Sequence, residues 1–273
     1  MFLKNLFLLG DIGFLNNNLK FCVNNIKQSI NKNDIIVLLG DNFYPSGLNS
    51  DCDAKIVEFN EIFKDIHNPI YSILGNHDYL INPHYQINHS SWIMDDFYYV
   101  IQYTNIDLYF IDSVQFYIDN LVSKQHIEYI HNNSIENLTN NQINWLINNL
   151  KINVHKPKII FGHYPLITNG FYNNKTNKLY NLLIHIFNKY NVKAYISGHE
   201  HNIQYIKHNL NNYVFKQVII GSSSENRFDK KIKHEDMYDN LDIYYGQLIF
   251  LFNQSIILNY VNKYGKIKYT YNL

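Results

Sequence analysis

Residues 35–44 read Ile-Ile-Val-Leu-Leu-Gly-Asp-Asn-Phe-Tyr, and this stretch shows the pattern that organises the chain. Five apolar residues run directly into Gly40 and Asp41. A continuous apolar run of this length is typical of a strand buried on both faces, as in a parallel sheet. The aspartate then lies at the carboxyl end of the strand, where ligands of α/β sheets collect.

The same arrangement recurs along the chain. Further apolar runs that end in a polar turn cover residues 3–9, 70–74, 106–111, 158–161, 194–196 and 218–220. Helical patterns lie between them at 19–30, 56–66, 139–150 and 179–190. Three last strands, 247–252, 255–261 and 266–271, predict an antiparallel meander at one sheet edge. This alternation predicts an α/β fold in a single domain over residues 1–273, with loops at 81–91 and 222–245.

Composition narrows the class of protein. The 273 residues include 23 Lys and Arg against 23 Asp and Glu, so the formal net charge is zero. This balance gives no support to a nucleic-acid partner or a basic membrane patch. Two cysteines exclude a disulfide framework. The apolar stretch at residues 6–9 is too short for a signal peptide, and no run could span a bilayer, so we expect a soluble, intracellular protein.

Oxygen and nitrogen donors follow five of the predicted strands. They are Asp11, Asp41, Asn76, His163, His199 and His201. One Gly-Asp pair alone is most simply a turn, but the series converges on one edge of a sheet and suits metal binding. The set is too large for one ion, and two ions about 3.5–4 Å apart need a shared carboxylate. Asp41 lies between two other donor-bearing turns and is the natural bridge.

The ordered motifs resemble a known family. They are Gly10-Asp11-Ile12-Gly13, Gly40-Asp41-Asn42-Phe43-Tyr44, Gly75-Asn76-His77-Asp78, Gly162-His163-Tyr164-Pro165 and Gly198-His199-Glu200-His201-Asn202. The set is similar to the metallophosphoesterase superfamily and, more narrowly, to the tartrate-resistant branch of the purple acid phosphatases. The resemblance implies a four-layer α/β/β/α sandwich in which two mixed sheets are flanked by helices.

The resemblance also implies the ligands of two metal ions. Asp11, Asp41, Tyr44 and His201 would hold the first, and Asp41, Asn76, His163 and His199 the second. Most of the superfamily has a histidine ligand two residues after the first aspartate, where this chain has Gly13. Tyr44 would replace that donor, and a phenolate suits Fe(III). The second ion is expected to be Fe(II), Zn(II) or Mn(II).

Two residues are expected to handle the substrate. His77, next to Asn76, is the candidate general acid and phosphate contact, and Asn76 also faces the phosphate. Asp78 either orients His77 or caps the turn. The related branch has a further histidine after the Gly-His-Tyr-Pro motif, which this chain lacks; Tyr172 or Asn169 is expected to replace it as a phosphate contact.

The remaining charged and histidine side chains that we considered are not expected to bind metal. We expect Arg227 on the surface, with a phosphate contact as the alternative. His84 and His89 are not expected to be ligands, although both follow the Asn76 motif. The histidines that fall away from the strand ends are assigned to the surface: His67, His126, His131, His155, His185 and His208.

The expected activity is hydrolysis of phosphomonoesters by attack of a metal-bound hydroxide. The substrate would be a phosphorylated small molecule or a phosphoprotein. One alternative is a phosphodiesterase or nucleotide hydrolase on the same scaffold, because the fold does not determine the leaving group. Another is a catalytically weak metal-binding protein that serves in interactions.

Overall fold

The computed structural model describes residues 1–117, 135–172, 177–190, 192–210, 213–227, 237–238 and 242–273. The helices in this part of the chain are α1 (Asn17–Ser29), α2 (Ala54–Phe63), α3 (Ile135–Leu150) and α4 (Asn177–Lys189). The strands are β1 (Asn5–Leu9), β2 (Ile35–Leu38), β3 (Ile70–Ser72), β4 (Tyr99–Gln102), β5 (Asp107–Phe110), β6 (Lys158–Phe161), β7 (Val192–Ser197), β8 (Ile203–Leu210), β9 (Tyr213–Ile220), β10 (Met237–Tyr238), β11 (Tyr244–Phe250), β12 (Ile256–Asn262) and β13 (Ile267–Asn272).

The strands form two mixed sheets flanked by helices. One sheet has the order β13-β12-β11-β1-β2-β3, and the other has the order β10-β8-β9-β7-β6-β5-β4. Strands β1, β2 and β3 run parallel, as do β5, β6, β7 and β9. This is the predicted α/β sandwich, and the terminal meander lies at the edge of the first sheet as expected.

Side chains from both sheets meet in the core. The rings of Tyr71 and Phe110 lie 5.6 Å apart between β3 and β5, and those of Tyr205 and Tyr271 stack at 4.1 Å between β8 and β13. The Tyr260 hydroxyl donates to the Gln204 carbonyl at 2.5 Å. These contacts hold the two sheets in position relative to each other, and they therefore also position the strand ends at the common edge of the sheets.

Local signals explain the helices. The Asn16 side chain caps α1 by accepting from the backbone of Asn18 and Leu19, and Asp53 caps α2 in the same way. On α1 the buried face consists of Leu19, Cys22, Val23 and Ile26, at the spacing of an amphipathic helix. Helix α3 is joined to the second sheet by the Tyr109 hydroxyl, which donates to the Asn149 carbonyl at 3.0 Å.

Three strands were not predicted. Strand β8 has the sequence Ile-Gln-Tyr-Ile-Lys-His-Asn-Leu, in which polar residues interrupt the apolar run. Strands β4 and β10 are short edge strands. The predicted loop at 81–91 contains a short 3-10 turn, Pro83–Gln86, tied down by the Trp92 indole, which donates to the Gln86 carbonyl. In the predicted loop at 222–245, residues 228–236 and 239–241 lie outside the described residues.

Of the four described histidines away from the strand ends, three are exposed as predicted and one is not. His67, His155 and His185 are exposed, whereas His126 and His131 lie outside the described residues. His208 is buried, so its assignment to the surface was wrong. Its ring stacks on Phe215 at 4.4 Å, because β8 is a strand and turns this side chain inward. Among the described helices, none combines the length and the hydropathy needed to span a membrane.

Candidate metal centre

The predicted donors converge at the carboxyl ends of the parallel strands. Asp11 follows β1, Asp41 follows β2 and Asn76 lies beyond β3 in the first sheet, and His163 follows β6 in the second. His199 and His201 follow β7. One oxygen or nitrogen each from Asp11, Asp41 and His163 lies within 4.8 Å of the others, and all three residues are buried.

The backbone at these turns is unusual. Asp11, Asp41, His199 and His201 have φ values of 55°, 53°, 72° and 47°, in the left-handed region that favours glycine. Each such residue costs of the order of 1 kcal/mol or more and persists only when its surroundings hold it. The Asp11 turn is held from the loop after β9, where the Ser223 hydroxyl accepts from Gly10 and the Ser224 hydroxyl donates to the Asp11 carbonyl.

The first group of donors surrounds the Tyr44 hydroxyl. This oxygen lies 3.3 Å from Asp11 Oδ1, 3.1 Å from Asp41 Oδ2 and 2.9 Å from His201 Nε2. His201 Nδ1 lies 3.0 Å from Glu225 Oε2, so Nδ1 is the nitrogen that donates and Nε2 faces Tyr44. The structure therefore brings together the four side chains predicted for the first metal.

The second group surrounds His163. Its Nδ1 lies 2.9 Å from the Leu39 carbonyl, which leaves Nε2 facing the cluster. Nε2 lies 3.1 Å from Asn76 Oδ1 and 3.5 Å from Asp41 Oδ1. The His199 ring lies 5.1 Å from the His163 ring. Asp41 thus has one carboxylate oxygen beside each group of donors.

The electrostatics of the cluster favour a bound cation. Burial and the neighbouring Asp41 raise the pKa of Asp11 well above its ordinary value. Burial lowers the pKa of His163 and His199, and lowers that of His201 to about 4, so the imidazoles are neutral. Neutral imidazoles and crowded carboxylates are the donor set that transition metals prefer, and a cation relieves the repulsion between Asp11 and Asp41. The residues therefore fit a bound metal ion.

Gly13 packs directly against the backbone and the ring of Tyr44. A Cβ on Gly13 would lie 2.6 Å from the Tyr44 nitrogen and 2.8 Å from Cδ2 of the Tyr44 ring. Two backbone hydrogen bonds hold the contact, from Gly13 N to the Asp41 carbonyl and from Tyr44 N to the Gly13 carbonyl, each 3.0 Å long. A side chain at residue 13 would therefore crowd the backbone of Phe43 and Tyr44 as well as the Tyr44 ring.

His77 is placed at the open side of the cluster. Its Nδ1 lies 2.6 Å from the Pro45 carbonyl, and its Nε2 lies 4.0 Å from Asp41 Oδ2. Its backbone N–H donates to Asp41 Oδ1 at 2.9 Å. Asp78 caps the turn: its carboxylate accepts from the backbone of Asn42 at 3.1 Å and of Gly75 at 2.8 Å. The capping role of Asp78 is the one the contacts support.

Tyr172 lies beside the second group. Its ring stacks on His199 at 4.2 Å, and its hydroxyl accepts from Arg227 Nη1 at 3.1 Å. Arg227 is partly exposed, as expected, but it lies at the rim of the site rather than on a remote surface. Glu225 was not predicted as a site residue, because no motif marks it and only the path of the chain after β9 brings it to His201.

The two histidines that were not expected to be ligands have other contacts. His84 lies edge-on to the Phe97 ring at 5.1 Å, and His89 stacks on Trp92 at 4.4 Å. Glu200 stands between the candidate ligands His199 and His201. Its buried carboxylate accepts from the Tyr172 backbone at 3.1 Å, and burial raises its pKa to about 7.

Comparison with known proteins assigns the family. Residues 5–202 match the model of the calcineurin-like phosphoesterases. The chain belongs to this family. Tartrate-resistant acid phosphatase type 5 of Mus musculus is 30% identical over 234 residues, which cover 78% of this chain and 68% of that protein. The same enzyme of Oryctolagus cuniculus is 32% identical over 231 residues, covering 77% and 67%. The protein is therefore an acid phosphatase-like metallophosphoesterase, a hydrolase.

Solved structures share the fold. A structure titled GAP50, the anchor in the inner membrane complex of Plasmodium, superposes with a TM-score of 0.78 at 21% identity and covers 99% of this chain and 88% of that one. A purple acid phosphatase from yellow lupin (Lupinus luteus) seeds has a TM-score of 0.73 at 14% identity, covering 98% and 53%. At these identities the likeness concerns the fold alone.

Proposed function

We propose that this calcineurin-like phosphoesterase is a phosphatase with a two-metal centre that hydrolyses phosphomonoesters. The observation that supports this best is the division of seven donors into two groups that share Asp41. Tyr44 reaches one oxygen of its carboxylate and His163 approaches the other. One bridging carboxylate between two donor groups is what a pair of ions about 3.5–4 Å apart requires.

The donor types suggest which ions bind. Asp11, Asp41, Tyr44 and His201 would hold Fe(III), since the Tyr44 oxygen becomes a hard anionic ligand when its proton is displaced. Asp41, Asn76, His163 and His199 would hold Fe(II), Zn(II) or Mn(II). When bound, the two ions supply Lewis acidity for the phosphate oxygens and for the attacking water. The chain's own residues set the geometry around them.

His77 is the residue placed to move a proton. The Nδ1 of His77 is hydrogen-bonded to the Pro45 carbonyl at 2.6 Å, so the proton that His77 exchanges is on Nε2. That nitrogen faces the cluster and is partly exposed at its open side. A protonated Nε2 would donate to the leaving oxygen of the ester as the bond to phosphorus breaks. Asn76 and Tyr172 flank the phosphate position on the side of the second donor group.

The substrate is a phosphorylated small molecule or a phosphoprotein in this proposal. Most of the donors are buried at the sheet edge, and the partly exposed rings of His77 and Tyr172 lie at the margin of the group. The chain's zero net charge gives no support to a nucleic-acid substrate. A phosphodiester with a small leaving group is the alternative on the same donors.

A second candidate is a metal-binding protein without turnover that holds a partner. Two observations favour it. The chain lacks the additional histidine after Gly162-His163-Tyr164-Pro165 that the related branch has. The fold is also that of a protein whose title describes an anchor. The complete donor set favours the enzyme over this candidate.

The experiment is a turnover assay on protein loaded with iron and zinc. An aryl phosphate, a phosphoserine peptide and a bis-aryl phosphodiester are compared, with His77→Ala and the exposed His84→Ala as a matched pair in one loop. The proposal expects turnover of the monoesters, its loss in His77→Ala and its retention in His84→Ala. Faster hydrolysis of the diester supports the phosphodiesterase. Bound metal without turnover of any ester supports the interaction protein.

A further inference from the structure

The side of the centre around His199 carries hydrogen-bond donors beyond those assigned to metal binding and proton transfer. The Tyr172 ring stacks on His199 at 4.2 Å, and the Tyr164 ring lies edge-on to it at 4.4 Å. The Tyr164 hydroxyl is buried and has no hydrogen-bond partner among the described residues. A buried hydroxyl of this kind requires explanation, and a bound acceptor supplies one.

Arg227 completes this side. It is the single arginine of the chain, and its backbone N–H donates to the His201 carbonyl at 2.9 Å. Its Nη1 donates to the Tyr172 hydroxyl at 3.1 Å. Arg227 is thereby held through its backbone by His201 and through its guanidinium by Tyr172, whose ring stacks on His199, at the rim of the centre.

The charge of Arg227 is only partly balanced. Glu225 Oε2 lies 4.0 Å from Nη2, beyond hydrogen-bond distance, and the same oxygen accepts from His201 Nδ1 at 3.0 Å. A guanidinium has five N–H donors in a planar fork, and Tyr172 accepts from one. With 43% of its side chain exposed, Arg227 presents donors at the open side of the site.

These observations fit an anion rather than a neutral group. Phosphoryl oxygens are strong acceptors, and arginine binds them through charge-assisted, often paired hydrogen bonds. The chain has no histidine between Leu166 and Tyr172, so no imidazole from that segment faces the phosphate. The guanidinium of Arg227, in the loop after β9, supplies the positive charge that such an imidazole would provide.

We propose that Arg227 is a phosphate-binding residue of this site: its guanidinium, held by the Tyr172 hydroxyl, donates to a non-bridging oxygen of the substrate's phosphoryl group. The proposal rests on the phosphatase function, because it assumes that a phosphoryl group occupies the centre. Arg227 binds and orients this group and takes no proton.

The test measures binding of inorganic phosphate to the metal-loaded protein by titration calorimetry. Arg227→Met is compared with Lys20→Met, which removes the same charge from an exposed position on α1. A charge-assisted contact predicts that Arg227→Met raises the Kd for phosphate about 10- to 100-fold, whereas Lys20→Met leaves it unchanged. Metal content is measured in each variant and is expected to match the wild type. A Kd for Arg227→Met within twofold of the wild type, with metal intact, overturns the proposal.

A second measurement distinguishes direct contact between Arg227 and phosphate from a role in which Arg227 only supports the Tyr172 ring. Free guanidinium added to Arg227→Ala is expected to restore part of the phosphate affinity, and Tyr172→Phe is expected to lose less affinity than Arg227→Met. If Tyr172→Phe loses as much as Arg227→Met and guanidinium restores nothing, Arg227 only supports the ring and the proposal is wrong. Phosphate binding does not require turnover, so absence of activity in the wild type would refute the phosphatase function without deciding this point.

Discussion

Gly13→Ala tests whether Tyr44 is placed as a ligand by the space that Gly13 leaves. A Cβ at residue 13 would lie 2.6 Å from the Tyr44 nitrogen and 2.8 Å from the Tyr44 ring, whereas ordinary contact begins near 3.4 Å. Tyr44 must therefore shift by about 0.6–0.8 Å, the difference between these distances. The turn cannot absorb the shift elsewhere, because Gly13 and Tyr44 are joined by a backbone hydrogen bond of 3.0 Å.

The expected consequence is a loss at the first metal site. A misplacement of about 1 Å in a catalytic constellation costs of the order of 10²-fold in rate, and overpacking costs about 1–3 kcal/mol of stability. We expect weaker binding of Fe(III) and a weaker tyrosinate absorption band in the visible, with turnover reduced about 10²-fold. Metal competition, the visible spectrum and turnover are measured on the folded variant.

The matched control overpacks the core without touching Tyr44. A Cβ on Gly246 would lie 2.2 Å from Ile220 Cδ1 and 3.0 Å from Leu8 Cδ1, so Gly246→Ala is expected to lower stability while retaining the iron band. Gly13→Ala with wild-type iron affinity, spectrum and turnover would refute the reasoning. Equal losses of the band in both variants would assign the effect to stability alone.

Four further predictions address other parts of the structure. Asp41→Asn is expected to lose both metals together, as measured by metal content per chain, and two tightly bound ions in this variant would contradict the bridging role. His77→Ala is expected to lower kcat by about 10²–10⁴ with metal content unchanged, and to lower it less for a substrate with a good leaving group; equal losses for aryl and alkyl phosphates would point to binding instead. Lys156→Met is expected to lower the free energy of unfolding by about 2–4 kcal/mol, because it leaves the buried Asp107 carboxylate without the ammonium 2.8 Å away; urea unfolding at two salt concentrations checks this. Burial raises the pKa of Asp112 from 3.8 to about 7, so its contribution to stability is greatest below about pH 4 and is lost as the pH rises to 7, up to about 4 kcal/mol. Urea unfolding of the metal-free protein is expected to show a decline over this range, and Asp112→Asn to reduce it without abolishing it, because Glu200 titrates in the same range.

Most of the strands that form the site were predictable, because each one combines an apolar run with a donor at its end. Asp11, Asp41 and His163 illustrate this: the strand pattern, the turn glycine and the donor stand together in the sequence. Parallel pairing then brings the donors to one edge. The pairing of Gly13 with Tyr44 was expected from the resemblance to the family, because the histidine that most of the superfamily has at residue 13 is missing here and Tyr44 offers a donor nearby.

The features that were missed depend on contacts far apart in the sequence. Glu225 comes to His201 through the loop after β9, and no local motif marks it. Arg227 was expected on the surface, with a phosphate contact as the alternative, and the same loop brings it to Tyr172. Strand β8 was not predicted, because its lysine, histidine and asparagine interrupt the apolar pattern. Its conformation is determined by pairing with β9 over its whole length. For the same reason the burial of His208 was not foreseen.

The central claim, a phosphatase that needs two ions bridged by Asp41, is tested most directly by titrating the metal-free protein with metal. Turnover of a phosphomonoester and bound metal per chain are measured at each step. The structure's two donor groups predict that turnover rises only as the second ion binds and reaches its plateau at two ions per chain. Full turnover with one ion per chain, or two bound ions without turnover, would contradict the account.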